Sequence, residues 1–312
     1  MNLTVASSPH IRGDYSTRRI MLDVVLALMP ALLVGCVVLG IRALLVTAVS
    51  VVCAVATEWL YGALTKKNTV GDFSAVVIGV LLAMTLPASV PYWLVMVGSI
   101  FAILFMKLLC GGLGQNLLNP ALAARAFMML IFPAGLTRYV GVDGITAATP
   151  MHHMVMPALP SQSLLSMFLG NCLGSIGEIS ALALLLGGAY LVYRKVISLR
   201  IPASYIGTVA VLTLVFHKTD APLAWMLYQL FSGGLMLGAI FMATDFTTSP
   251  ATPTGQLVYG VGCGVLTVFF RYYGLFPEGV TYAILIMNLL VWVIDRHTAP
   301  RQFGAGKGGA AK

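Results

Sequence analysis

Charge is what this sequence has least of. Only 9% of its 312 residues are Asp, Glu, Lys or Arg, against about 25% in soluble proteins. So few charges cannot coat a soluble body of this size. Cysteine is sparse and scattered: Cys36, Cys53, Cys110, Cys172 and Cys263 fall singly, with no Cys-x-x-Cys pair and no histidine at ligand spacing. That pattern argues against a zinc or iron–sulfur site built by this chain alone and reads as small buried hydrophobes. The 18 Lys and Arg give a net charge of +8, yet they scatter along loop ends, so no nucleic-acid surface is expected. A small-residue cleavage site is missing between the first apolar run and Arg42. Residues 1–19, with Arg12, Asp14, Arg18 and Arg19, are therefore expected to form a retained cytoplasmic tail.

What is present is apolar. Hydrophobic residues make up 59% of the chain, or roughly 69% with the 32 glycines, where about 45–50% is usual. Mean hydropathy is +0.94. The expected class is an all-α polytopic membrane protein in a lipid bilayer. Apolar runs broken by polar or Gly/Pro residues suggest ten spans: 20–41, 43–64, 74–87, 91–109, 121–133, 176–193, 202–216, 222–243, 255–271 and 279–294. At about 20 residues per span, no separate soluble domain fits. The runs 74–87, 121–133 and 202–216 are short, as broken or tilted helices around a polar interior would be.

This division gives a first membrane half (20–133), a long loop (134–175), a second half (176–294) and a C-terminal tail (295–312). Placing the N-terminus inside puts 14 of the 18 basic residues, Arg125 among them, on the cytoplasmic side and leaves Arg42, Arg138, Lys218 and Arg271 outside. That bias fixes the expected orientation, with both termini cytoplasmic and the long loop extracytoplasmic. Asp23, Glu58, Lys107, Glu178 and Asp245 lie in or beside apolar spans, where a charge needs a partner or a job. Glu58 and Lys107 sit near the same ends of their helices, so pairing and snorkelling to the interface are both open.

Three segments carry chemistry. In the long loop, Asp143-Gly144-Ile145-Thr146-Ala147-Ala148-Thr149-Pro150 sets a threonine among small residues, and Pro150 biases Thr149 toward extended backbone. Such a segment presents a hydroxyl without crowding; an ordinary loop can look the same. His152 and His153 follow as candidates for contacting a bound group. The second segment, Gly111-Gly112-Leu113-Gly114-Gln115-Asn116 through Asn119-Pro120 to Arg125, offers close backbone approach and polar groups, or else a tight turn and a helix cap. The third runs from Asp245 through Thr248 to Gly255 after an expected small-residue helix, Ser232–Gly238. A weak echo joins Pro91-Tyr92-Trp93 with Asn119-Pro120-Ala121 and Pro222-Leu223-Ala224-Trp225 with Ser249-Pro250-Ala251, without settling a repeat's symmetry.

In order and spacing these segments resemble one family: the D subunits of Rnf ion-translocating ferredoxin:NAD oxidoreductases and the B subunits of sodium-pumping NADH:quinone reductases. Length and the short N-terminus look more like the D subunits. The resemblance implies ten helices in two inverted five-helix halves, as in urea transporters. It implies FMN joined by a phosphoester to the last threonine of a [Ser/Thr]-Gly-Ala-Thr motif by a flavin transferase. Here the motif reads Thr146-Ala147-Ala148-Thr149, so Thr149 is the implied acceptor, and alanine in the glycine position restricts the backbone. Asp143, Gly144, Thr146, Ala147 and Ala148 would surround it.

The family is also associated with non-covalent riboflavin. Gly111, Gly112, Asn116, Asn119 and Arg125, together with Asp245 and Thr248, are the implied buried cofactor or transport site. The implied partners are Rnf subunits A, B, C, E and G. The implied activity is electron transfer between ferredoxin and NAD coupled to Na+ or H+ movement across the cell membrane. The competing expectation is a solute channel or transporter of the same fold without redox chemistry, or a passive scaffold.

Overall fold

A computed structural model describes residues 16–66, 69–139, 159–160, 162–170, 172, 174–274 and 279–300. The described elements are helical. We number those that build the body of the fold α1 (Thr17–Leu39), α2 (Ile41–Thr65), α3 (Ser74–Met84), α4 (Tyr92–Phe101), α5 (Pro120–Ile131), α6 (Ala181–Tyr193), α7 (Arg200–Val215), α8 (Pro222–Phe231), α9 (Leu235–Leu237), α10 (Pro253–Tyr273) and α11 (Val280–Thr298). Wider π-helical turns extend α4 through Ala102–Leu108 and α9 through Gly238–Met242. Two short helical segments, Pro133–Leu136 and Leu164–Leu169, flank the long loop.

Local sequence explains most of the helix starts. Asn119 caps α5, accepting from the Ala121 and Leu122 N–H groups, and Pro120 follows at the position where a missing N–H does no harm. Thr252 and Pro253 repeat that device at α10, and Ser180 caps α6 through the Ala183 N–H. Gly40, at φ +78, separates α1 from α2.

Four helices, α1, α2, α10 and α11, are long and apolar enough to cross a membrane, and a fifth such unit is the bent pair of α8 with the α9 extension. Shorter apolar helices are α3, extended α4, α5, α6 and α7. Each expected segment thus holds a helix, with two changes. The run 222–243 is not continuous: its halves meet at 61°, because Ser232 is extended and Gly233 and Gly234 take φ near +66 and +67. The expected small-residue helix Ser232–Gly238 is therefore a break followed by a helix. The run 176–193 becomes helical only at Ala181, since Ile176 and Gly177 donate instead to the Leu86 and Met84 carbonyls (3.0 and 2.8 Å). At the other end of the chain, α11 runs on to Thr298, past the expected boundary at 294.

Packing brings α1 against α6, α2 against α3 and α4, and α7 against α10, which also meets α11. The α1–α6 approach is close enough that a Cβ on Gly187 would collide with the Ala27 carbonyl oxygen. Large apolar side chains face outward, among them Val37, Trp59, Leu64 and Trp292. An apolar exterior around a polar-bearing interior is the arrangement lipid demands.

Candidate functional site

A cleft of about 680 Å³, open mouth included, lies between the N-terminal ends of α1 and α3, the Asn116–Pro120 turn, and the Phe241–Thr247 stretch after α9. Its walls are mostly apolar, from Ile20, Ile78, Leu81 and Phe241 among others, with Ser74, Asn116, Asn119, Thr244, Asp245 and Thr247 as polar exceptions. Asn119 does double duty. Its Oδ1 caps α5 at 3.1 Å from the Ala121 N–H, while Nδ2 donates to the Met242 carbonyl at 3.3 Å. The Asn288 amide of α11, oriented to satisfy both its ends, accepts from the Asn119 N–H and donates to the Thr248 carbonyl, each at 3.1 Å.

Asn116 is buried, and its Oδ1 has no hydrogen-bond partner among the described residues. A buried acceptor left open is what a ligand N–H would fill. The Asp245 carboxylate accepts from the Thr247 and Thr248 hydroxyls at 2.9 and 3.2 Å. Loss of solvent pushes its carboxyl above the ordinary range, and those hydroxyls oppose the rise.

The structure therefore joins the second and third sequence segments, which lie more than a hundred residues apart. Asn116, Asn119 and Asp245 line one cleft, and Thr248 supports Asp245 from behind. Gly111 and Gly112 do not line it; at φ +114 and +94 they form the exposed turn after α4. Arg125 does not line it either. It is half-buried, and its Nη1 donates to the Thr85 carbonyl at the end of α3. Asp143, Gly144, Thr146, Ala147, Ala148, Thr149, His152 and His153 lie outside the described residues.

A second, smaller cavity stands farther along the same seam. Met84, Thr85, Leu122, Arg125, Glu178 and the Gly233-Gly234 break line it, among others. Arg271, expected on the outer side, is buried. It donates to the Gln229 carbonyl (2.6 Å) and Oε1 (3.0 Å) and to the Ser232 carbonyl (2.9 Å), so it caps the end of α8. The carbonyl ends of α3 and α8 are thus each held by an arginine from a neighbouring helix. No sequence motif points to Asn288, Gln229 or this use of Arg271; polar residues inside apolar helices are the only available signal.

The family model described as "NQR2, RnfD, RnfE family" matches residues 4–304. The chain belongs to that family. It is 48% identical over 314 residues, covering 98% of this chain and 97% of the relative, to the D subunit of the Na(+)-translocating ferredoxin:NAD(+) oxidoreductase complex of Acetobacterium woodii. It is 42% identical, covering 96% of each chain, to the D subunit of the proton-translocating ferredoxin:NAD(+) oxidoreductase complex of Clostridium ljungdahlii. A third relative, at 36% with 98% and 97% covered, is the D subunit of the ion-translocating oxidoreductase complex of Halorhodospira halophila. Since one of these relatives is named for sodium and another for protons, similarity alone assigns no ion.

Within this family member, Glu58 and Lys107 resolve the choice left open above. They form a buried ion pair at 2.5 Å, both about fully shielded from solvent. Ser74 Oγ accepts a second Lys107 hydrogen bond at 2.5 Å, and Thr69 donates to Glu58 Oε1 at 2.6 Å. Lys107 reaches this position from the π-helical end of α4, a distortion frequent at functional sites. Asp23 on α1 likewise pairs with Arg194 at 3.2 Å and accepts from the Tyr190 hydroxyl at 2.9 Å.

Proposed function

We propose that this chain is the membrane electron-transfer subunit of an Rnf-type ferredoxin:NAD oxidoreductase, carrying FMN on Thr149 and working with subunits A, B, C, E and G. The observation that carries the reading is near full-length membership of the family together with the Asp143-Gly144-x-Thr146-Ala147-Ala148-Thr149 segment. Ten crossings in two inverted halves are part of the proposal. In support, α1 meets its counterpart α6 and α5 meets α11, while α2 packs on α4 as α7 packs on α10. The short helices cross with the help of extended stretches that the other half satisfies.

By charge bias the cleft opens to the cytoplasm and the flavin loop lies outside. Both roots of that loop are held: Ser89 donates to the Arg138 carbonyl, and Tyr228 donates to the Gln162 carbonyl at 2.7 Å. Ser89 precedes α4 and Asn116 follows its extension, so about 25 Å of helix separates loop root from cleft. FMN, when bound, supplies reversible uptake of one or two electrons. The chain's own part is to tether it, so that holding it outside the lipid needs no binding affinity.

The cleft is where we place a second, non-covalent planar group such as riboflavin. Its apolar walls suit a ring face, the open Asn116 acceptor suits a ring N–H, and the Asn119 and Asp245 side chains suit a polar edge. The test is in-gel flavin fluorescence of the denatured chain, produced with and without a flavin transferase. Fluorescence that survives denaturation, needs the transferase and vanishes in Thr149→Ala supports the reading. A dark band despite the transferase favours the solute-channel or scaffold alternative.

A further inference from the structure

On the outer surface, α6 and α7 leave a groove between them. They follow each other in the chain, yet α6 packs on α1 while α7 packs on α8 and α10. The groove holds about 1070 Å³, open mouth included, and the described side chains that line it are uncharged. Leu185 and Tyr193 mark its length on α6, Leu199 and Ile206 its length on α7, and Ile240 forms the floor. From Leu185 to Tyr193 the helix rises about 12 Å, close to the ~15 Å of hydrocarbon in one bilayer leaflet. A partner helix crossing the membrane would need a face about twice as long. Gly188 is the residue that could admit such a helix, but it is buried already: Ile240 Cγ2 lies 2.7 Å from the place its Cβ would take.

One end of the groove is basic, and by charge bias it is the cytoplasmic end. The chain reverses there after α6: Lys195, at φ +58, donates its N–H to the Val192 carbonyl, and Val196 donates to that of Leu191, each at 2.9 Å. Lys195 and Arg200 flank this turn, and both are exposed. Arg194 beside them is taken by Asp23 at 3.2 Å. No side chain caps the start of α7 at Arg200, so its first turn adds backbone N–H groups and the positive end of a helix dipole. The Asp23–Arg194 pair brings the start of α1 to the same end. Residues 12–23 and 194–200 carry six Lys and Arg against Asp14 and Asp23, so the excess stays positive with both acids counted. Asp245 faces the cleft, which Ile197 separates from the groove.

We propose that this groove seats one anionic phospholipid of the cytoplasmic leaflet, with its acyl chains along Leu185, Val192 and Ile206 and its phosphate at Lys195, Arg200 and the start of α7. Basic residues at the end of a spanning helix are, by themselves, ordinary interface anchors. A leaflet-long apolar groove that ends on two exposed basic residues and an uncapped helix start selects a headgroup as well as a chain. The inference rests on the membrane reading above but not on the flavin. Lipid capture and flavin attachment are read by separate measurements, so each can fail while the other stands.

The experiment uses the purified complex containing this chain, with every preparation checked for its full set of subunits. Tyr193, already aromatic and exposed, is replaced by the photo-reactive benzoylphenylalanine. The complex is placed in vesicles of phosphatidylcholine with a minor share of phosphatidylglycerol and illuminated, and the peptide holding position 193 is weighed. It should carry phosphatidylglycerol far above that lipid's share of the vesicle. Lys195→Gln with Arg200→Gln should lower that adduct on the order of tenfold. Ala203→Trp, which fills the groove and keeps both charges, should lower it as well. Capture of another subunit's polypeptide overturns the proposal, because a protein then covers the groove. So does a lipid adduct that mirrors the vesicle's composition and ignores the charge variant, which is the behaviour of bulk lipid. An adduct that survives Ala203→Trp, or none at all in the parent, overturns it too.

Discussion

Glu58 and Lys107 show what one residue does in this interior. Each is buried and each is the other's counter-charge at 2.5 Å, so removing one partner leaves a charge with no counterpart. Glu58→Gln or Lys107→Met should each destabilise the protein by about 3–5 kcal/mol, while the double replacement should recover much of that loss. Thermal unfolding in detergent checks the non-additivity. Asp245 gives a signed pH prediction. Its carboxyl is raised by burial, so the folded protein binds that proton more readily than the unfolded chain does. Its contribution is complete below about 3.9, the unfolded value, and is lost as pH climbs through the raised one. Asp245→Asn, which does not titrate, should therefore match or exceed the parent at about pH 7 and lose ground to it as pH falls toward about 3.9. A constant difference in unfolding midpoint across that range would refute the assignment.

At the scale of helices, close approach and interruption matter more than length. Gly187 lets α6 lie against the α1 backbone, and an added Cβ would run into the Ala27 carbonyl. Gly207, inside α7, has open space at the same atom. Gly187→Ala should lower the unfolding temperature sharply, whereas Gly207→Ala should be neutral or stabilise by up to about 1 kcal/mol through helix propensity. Equal effects would mean that the α1–α6 contact is looser than described. The long helices were legible because α1, α2, α10 and α11 are nearly unbroken apolar runs. The break at Ser232–Gly234 was not, because small residues suit tight helix packing and helix interruption equally well. The use of Arg125 and Arg271 was hidden for a related reason: hydropathy counts a charge near a helix end as a flank, and only the neighbouring helix end reveals the carbonyls that each one holds.

For the molecule as a whole, the sequence conveyed the membrane class, the helical segments, the family and, through the resemblance, Asn116, Asn119 and Asp245 as candidates, but not the geometry that joins them. Asn116 and Asp245 belong to separate apolar runs, and no local periodicity says that they share a cleft. Only the pairing of the two halves through Asn119, Met242 and Asn288 brings them together. The motif that carries the electron-transfer reading is different, because a short loop segment is readable without tertiary context. Its consequence is covalent and can be weighed. Intact and peptide mass spectrometry of the chain, purified from cells that also make the flavin transferase, should show one added FMN less one water. That mass should sit on the peptide containing Thr149, be lost in Thr149→Ala and be kept in Thr146→Ala. An unmodified chain under those conditions, or a flavin found on another residue, would contradict the account.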